Sequence, residues 1–229
     1  SNFKNFKFNN NLKKINSLFN IELDLSENIF IELLNLKSDN KKKSNIVIEF
    51  QSQKNSFLIK KFKFSEGNNL ILVNNLKINK DQQVEKFDKI KIRTDKNGIE
   101  NNNFTINYQN KKISIKGKSY DATHLLKNIN KGGKSDILNK ISSNIEINFS
   151  NLITQSLTPV TNFNLIGKIQ KGKFIKINSK GQFSDNQFLD ISLKEDENKK
   201  KILEIYSDLP KALLSDYKFF EGINGGQLL

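Results

Sequence analysis

Few residues in this 229-residue chain could do covalent chemistry. It has one histidine, His124, and no cysteine. Without a thiol or a second imidazole, the catalytic triads, the usual zinc sites and a disulfide framework are unavailable within it. Glu195, Asp196 and Glu197 stand together, but beside lysines, and they read as a solvated turn. Paired carboxylates for glycoside chemistry are defined by their separation in space, which adjacency in sequence does not supply. Gly132-Gly133-Lys134-Ser135 has the tail of a phosphate loop, yet that pattern needs a glycine five residues before Gly133, where Asn128 stands. Gly225-Gly226 follows a helix-like stretch instead of opening one, so it reads as a turn and not as a dinucleotide cradle. The expectation is a chain without catalytic residues, metal or cofactor.

The net charge of +14 suggests a polyanion partner, but its make-up does not. Of 38 basic residues only Arg93 is arginine, whereas base reading and phosphate forks favour arginine. Asparagine (35) and isoleucine (29) are in excess along with lysine, and alanine occurs twice, the pattern of an AT-rich coding sequence. The densest lysine runs, Lys41-Lys42-Lys43 and Lys199-Lys200-Lys201, lie between apolar-alternating segments and read as solvated turns. No specific nucleic-acid partner is expected, although diffuse attraction to anionic lipid or nucleic acid is open.

Leu, Ile, Val and Phe make up 76 residues, about a third of the chain, enough for a folded core. No stretch approaches the ~18 uncharged apolar residues of a membrane-spanning helix. With no methionine, and an end in the apolar run Gln227-Leu228-Leu229, the chain reads as a segment of a longer polypeptide.

The elements that must position these residues are strands. Ile145, Ile147 and Phe149 alternate with polar neighbours; so do Phe163, Leu165 and Ile169, then Ile175, Ile177 and Phe183, then Leu189, Ile191 and Leu193. Polar turns at spacings near a dozen residues give an antiparallel meander. The first half repeats the pattern at Ile46–Phe50, Phe62–Phe64, Leu76–Ile78, Ile90–Ile92, Phe104–Tyr108 and Ile113–Ile115, with earlier strands at Ile21–Leu25 and Ile29–Leu36. Two short helices are predicted, one capped by Asp121 and carrying Leu125, Leu126 and Ile129, the other capped by Ser207, with Asp208 and Pro210 in its first turn and Leu213, Leu214 and Tyr217 beyond; Ser135–Ile141 is a third candidate. An offset of 76 aligns Asn75-Leu76, Val84 and Phe87 with Asn151-Leu152, Val160 and Phe163, among other apolar pairs. Stacked repeats of this kind make a sheet that grows in one dimension. The predicted fold is mostly β: an elongated, curved antiparallel sheet with an open groove and two or three short helices. Its parts are an N-terminal strand segment (1–68), a first meander with a helix (69–135) and a second (136–229).

Ser207-Asp208-Leu209-Pro210-Lys211-Ala212-Leu213-Leu214, followed by Phe219-Phe220-Glu221-Gly222-Ile223-Asn224-Gly225-Gly226-Gln227-Leu228, resembles the C-terminal region of large bacterial AsmA-like proteins. Gly117-Lys118-Ser119-Tyr120-Asp121-Ala122 is similar to that family's Gly-x-Ser-x-Asp-Ala join between strand and helix. The likeness covers roughly residues 110–229, and the lysine and asparagine content departs from typical members. It implies a non-enzymatic periplasmic protein, anchored to the inner membrane through sequence outside this segment and working with other envelope proteins. It implies phospholipid traffic toward the outer membrane along an apolar sheet groove, and a role in envelope integrity. The structural motif would then rest on Gly117, Ser119, Asp121, Ser207, Asp208, Leu213, Leu214, Gly225 and Gly226. The groove that takes the acyl chains would rest on Ile145, Ile147, Phe149, Phe163, Leu165, Ile175, Ile177, Phe183, Leu189, Ile191 and Leu193. The same alternation also builds an ordinary closed core. The rival expectation is therefore a structural or adhesive β-repeat without lipid, and a weaker one is lysine-mediated nucleic-acid binding.

Overall fold

A computed structural model describes residues 3–12, 17–25, 28–39, 42–81, 83–124, 142–154, 158–184, 186–197 and 200–209. The chain divides into two compact units, Ser1–Asn110 and Lys111–Leu229. The first holds β1 (Phe3–Asn11), β2 (Ser17–Leu25), β3 (Phe30–Ile31), β4 (Leu36–Lys37), β5 (Ser44–Gln53), β6 (Ser56–Glu66), β7 (Asn69–Asn79), β8 (Val84–Lys86), β9 (Lys89–Lys96) and β10 (Ile99–Gln109). The second holds β11 (Lys112–Asp121), β12 (Ser143–Ile153), β13 (Val160–Gln170), β14 (Lys173–Ser184), β15 (Gln187–Glu195) and β16 (Lys201–Ser207). The protein is mostly β, as expected.

In the first unit the strand order is β1-β2-β5-β6-β7-β9-β10, all antiparallel, with β8 beside β7. In the second it is β11-β12-β13-β14-β15-β16. Among the described residues β1 pairs only with β2 and β16 only with β15, so neither unit closes into a barrel. One pairing departs from the expected meander: β11 and β12 are parallel. A parallel neighbour needs a crossover instead of a tight turn, and the chain leaving Asp121 returns to the start of β11. There Ser143 Oγ and the Asn144 N–H both donate to the Lys111 carbonyl. The sheet is mixed because of this one crossover.

Hairpin turns follow their residue types. Asn97-Gly98 and Lys171-Gly172 both take positive φ at two successive positions, the geometry that suits the right-handed twist of the flanking strands. These turns lie 74 residues apart, as do the starts of β7 and β12 and of β10 and β14. The sequence identities recur at 76; the two spacings differ by two residues, which leaves every side chain on the same face.

The expected strand over Ile29–Leu36 is broken. Phe30–Ile31 and Leu36–Lys37 pair as a two-stranded ribbon around a 3-10 turn at Glu32–Leu34, and Asn35 adopts the left-handed conformation at φ 47°. The reversal turns Leu34 and Leu36 inward, where both are buried. The strand β1, with Phe6 and Phe8 alternating against polar residues, was not expected from the sequence. The helices predicted after Asp121 and Ser207, and that at Ser135–Ile141, lie outside the described residues. Asp121 does accept from the Thr123 N–H and hydroxyl, and Ser207 from the Leu209 N–H, as capping residues do.

Two glycines decide how closely β12, β13 and β14 pack. A Cβ on Gly167 would sit 2.8 Å from the Lys176 carbonyl oxygen and 3.2 Å from Ile145 Cγ2. On Gly181 it would collide with Val160 Cγ1 and sit 3.3 Å from Phe163 Cδ2. The missing side chains leave the space that Val160 and Phe163 fill. Gly181→Ala is expected to lower stability by about 1–3 kcal/mol through overpacking, read as a lower urea midpoint. Adding Val160→Ala should recover part of that loss; a Gly181→Ala midpoint equal to the parent's would refute the close approach.

Candidate functional site: an apolar sheet face

Residues opposite one another in a ladder share a face, so the register draws the candidate site directly. In the second unit one row reads Ile113, Ile145, Gly167, Ile177, Leu193, Leu203 from β11 to β16. The next reads Ile115, Ile147, Leu165, Ser179, Ile191, Ile205. The third holds Gly117, Phe149 and Phe163 across β11–β13 and Gly181, Leu189 and Ser207 across β14–β16. The other face carries rows such as Ser114, Glu146, Ile166, Asn178, Ser192, Glu204. Exposed apolar residues on it include Ile166 (67%), Phe188 (42%) and Ile202 (39%).

The structure thus sets Ile145, Ile147, Phe149, Phe163, Leu165, Ile177, Leu189, Ile191 and Leu193 on one face. Ile175 and Phe183 lie at irregularities. The register moves from Lys168↔Lys176 to Ile169↔Phe174, leaving Ile175 as the extra residue and placing Phe174 opposite Ile169. It shifts again between Gln182 and Ser184, with Phe183 between them and buried. Bulges of this kind interrupt a strict odd-number count, which is why Phe174 was not anticipated.

Cover over this face is uneven. Phe149, Phe163, Val160 and Leu189 are buried. The apolar residues of the middle row, Ile115, Ile147, Leu165, Ile191 and Ile205, are only half-buried, and Leu203 at the edge is 57% exposed.

The motif residues sit at the same end as the buried row. Gly117, Ser119 and Asp121 register with Phe149, Asn151 and Ile153. The Ser119 hydroxyl is buried and has no hydrogen-bond partner among the described residues. Asp208 accepts from the Phe188 N–H at 2.8 Å and from Tyr206 Oη at 2.7 Å, so it ties β15 to the end of β16. Its carboxylate, as hydrogen-bond partner, is the main reason the Tyr206 phenol lies above its ordinary range. Burial, and then the charge of Asp121, push Tyr120 up to about 12. Leu213, Leu214, Gly225 and Gly226 lie outside the described residues.

The first unit has the same construction, which the sequence reading did not assign to the site although the alternation signal is present there. One row crosses seven strands as Phe6, Leu23, Ile46, Phe64, Ile71, Ile92, Phe104, and the next as Phe8, Ile21, Ile48, Phe62, Val73, Ile90, Ile106. Phe19 and Phe50 stack at 4.6 Å in a third. In the first row Phe64, Ile71, Ile92 and Phe104 are buried, whereas Phe62, Val73, Ile90 and Ile106 in the second are half-buried.

The β3–β4 ribbon contributes to that difference. β4 lies against β9, and Leu36 is only 1% exposed. Asn102 Nδ2 donates to the Leu34 carbonyl at 2.7 Å and to Thr94 Oγ1 at 2.8 Å; Asn102 and Thr94 are both buried. Buried Glu66 accepts from the Asp39 N–H at 2.6 Å and from Asn69 Nδ2 at 3.2 Å. These bonds satisfy polar groups that would otherwise be stranded beside the apolar rows. The ribbon is a fixed margin on one side of the face.

The opposite faces hold charge. Glu146 accepts from Lys112, from Lys116 at 3.1 Å and from Asn148 at 2.9 Å. These donors, Lys112 foremost, hold its carboxyl down at about 2. Asp24 lies well below the usual carboxylate range because Asn5, Asn45 and Lys43 donate to it. Among the described residues no helix is long and apolar enough to cross a membrane.

Comparison of the chain with protein-family models, with curated proteins and with solved structures finds no match.

Two outcomes follow from this geometry. Leu36→Ala should cost about 2–5 kcal/mol and should speed hydrogen exchange at 28–39 before the rest of the first unit; unchanged exchange there would show that the ribbon is not held by Leu36. Glu146 has its pKa lowered from 4.5 to about 2 on folding. Its stabilisation is therefore fully present above pH 4.5 and fades as pH falls toward 2. Glu146→Gln should flatten the acid side of the stability profile, and a profile parallel to the parent's between pH 5 and 2 would contradict the assignment.

Proposed function

We propose that this chain is a non-enzymatic lipid-handling segment whose apolar sheet faces shelter phospholipid acyl chains, as the resemblance to AsmA-like proteins implies. The observation that carries the reading is the half-buried middle row of the second unit, Ile115, Ile147, Leu165, Ile191 and Ile205, backed by a polar face. Each methylene removed from water gains ~0.8 kcal/mol, so an acyl chain of ~16 carbons gains on the order of 12 kcal/mol by leaving it. Cross-strand rows of Ile, Leu and Phe offer that environment at every step along the sheet, with no single tight site to leave. The arrangement suits passage better than storage. In this reading the chain works in the periplasm, between the inner membrane and the outer.

Lipids that co-purify with the chain, expressed into the periplasm and identified by mass spectrometry, test the proposal. Phospholipid on the parent, and its loss from an Ile147→Asp/Ile191→Asp variant that keeps its β circular dichroism, is the expected result. Both positions lie in the half-buried row, where a carboxylate remains solvated and the sheet can persist. A well-folded parent without lipid would favour the rival, a structural β-repeat closed by its own side chains.

A further inference from the structure

On the polar face of the first unit, β6 and β9 flank β7, and the register sets Lys63, Leu72 and Lys91 in one row and Lys61, Asn74 and Lys89 in the next. Strands lie ~4.8 Å apart and alternate residues ~7 Å apart, so the four lysine Cα atoms mark a rectangle of roughly 10 by 7 Å.

Several described lysines of these faces meet acids. Lys7 pairs with Glu22, Lys77 with Glu85, Lys112 and Lys116 with Glu146, and Lys194 with Glu204. None of the four ammonium groups here has a carboxylate within 4.0 Å among the described residues. The acid nearest in the ladder is Glu49, across β5 from Lys61. On the other side Lys91 and Lys89 face Thr105 and Asn107, which are uncharged. Half-buried Val47 and Leu72 lie on either side of Lys63 and give the patch an apolar floor.

We propose that this lysine quartet, Lys61, Lys63, Lys89 and Lys91, docks the polar face of the first unit on an anionic phospholipid surface. A sheet face is too broad to enter a nucleic-acid groove, which admits a helix or a two-stranded ribbon. Lysine offers point charges instead of the planar fork that grips a single phosphate, and this suits a field of headgroups. The apolar floor lets the lysine stems lie against protein or lipid while their ammonium groups reach the headgroups. The surface is separate from the apolar faces and does not depend on their taking up acyl chains.

Co-sedimentation with vesicles of phosphatidylglycerol and phosphatidylcholine in equal parts tests this, with pure phosphatidylcholine as the neutral arm. The parent should bind the anionic vesicles, and replacing all four lysines by Gln should weaken binding on the order of a hundredfold. A control with Lys54, Lys96, Lys173 and Lys200 replaced by Gln removes the same charge from exposed positions elsewhere and should lose no more than a few-fold. Glu49→Gln removes the acid directly opposite Lys61 in the ladder and should tighten binding several-fold; it decides the matter if the quadruple variant loses its β circular dichroism. Equal losses in quartet and control would mean net charge alone and overturn the proposal. So would a parent that ignores anionic vesicles, or quartet-dependent retention on DNA without vesicle binding. Lipid carried on the apolar faces, read by mass spectrometry, should be the same in all these variants, so failure here and failure of the acyl-chain reading are separable.

Discussion

Side chains of a strand alternate between two faces, so a one-residue slip in any ladder carries that strand's apolar set to the polar side. In the first unit seven consecutive strands keep Phe, Leu, Ile and Val in two uninterrupted rows. That parity is the constraint to which the other features answer. Where the chain cannot hold it by strict alternation, a single residue takes up the difference. Phe50 pairs with Ile59 while Glu49 pairs with Lys61, which leaves Lys60 extra in β6; opposite it β7 carries Asn75 at φ 52°. Asparagine tolerates the left-handed region better than most residues, and Asn75 Nδ2 donates to Asp88 at 2.7 Å. Beyond that point Ile59 and Leu76 regain the face that Phe62 and Val73 occupy. Asn162, at φ 52° in β13, has a similar place between Val160 and Phe163, both buried.

The rows also explain why buried polar residues gather at one margin. Ser44, Glu66 and Asn69 form a ladder beside the first apolar row, and Thr94 and Asn102 form another. Apolar side chains there would extend the face to the strand ends and leave the β3–β4 ribbon with no polar anchors. With Asn, Thr and Glu present, the Leu34 carbonyl and the Asp39 N–H are satisfied inside the structure, and the ribbon can lay Leu36 down without stranding its own backbone. A polar margin therefore fixes where the apolar track ends.

Much of this was legible in the sequence. Alternation at Ile145–Phe149 or Leu189–Leu193 is a period-two signal with one physical meaning, and the structure gives each run a strand. What was not legible has local causes. Ile29–Leu36 has the apolar content of a strand, but Asn35 in the left-handed region reverses the chain, and the anchors that favour this, Asn101 and Asn102, lie more than sixty residues away. Phe174 and Ile175 both read as apolar, and only the bulge decides which of them faces Ile169. The parallel β11–β12 pair depends on a crossover whose direction no side-chain pattern encodes. The charge signal was the least legible. Lysines spread evenly along the sequence come together at Lys61, Lys63, Lys89 and Lys91 only because β7 runs between the two strands that carry them.

A sheet with one apolar and one polar face is stable in water only if the apolar face is covered, by protein or by something else. The second unit shows both conditions on a single face. At the Phe149–Phe163–Leu189 end the side chains are shielded, and glycines at 167 and 181 let neighbouring strands' side chains lie flat against the backbone. One row away the same strands leave Ile147, Leu165 and Ile191 half in solvent. Larger residues at 167 and 181 would collide with the side chains and backbone that already occupy that space. Gly167, Ser179 and Gly181 run down the middle of the face on β13 and β14, flanked by Ile, Leu and Phe. The small residues let Ile145, Val160 and Phe163 lie over the sheet backbone, so that part of the face is covered by its own side chains, and the row of Ile147, Leu165 and Ile191 is the part that still needs cover.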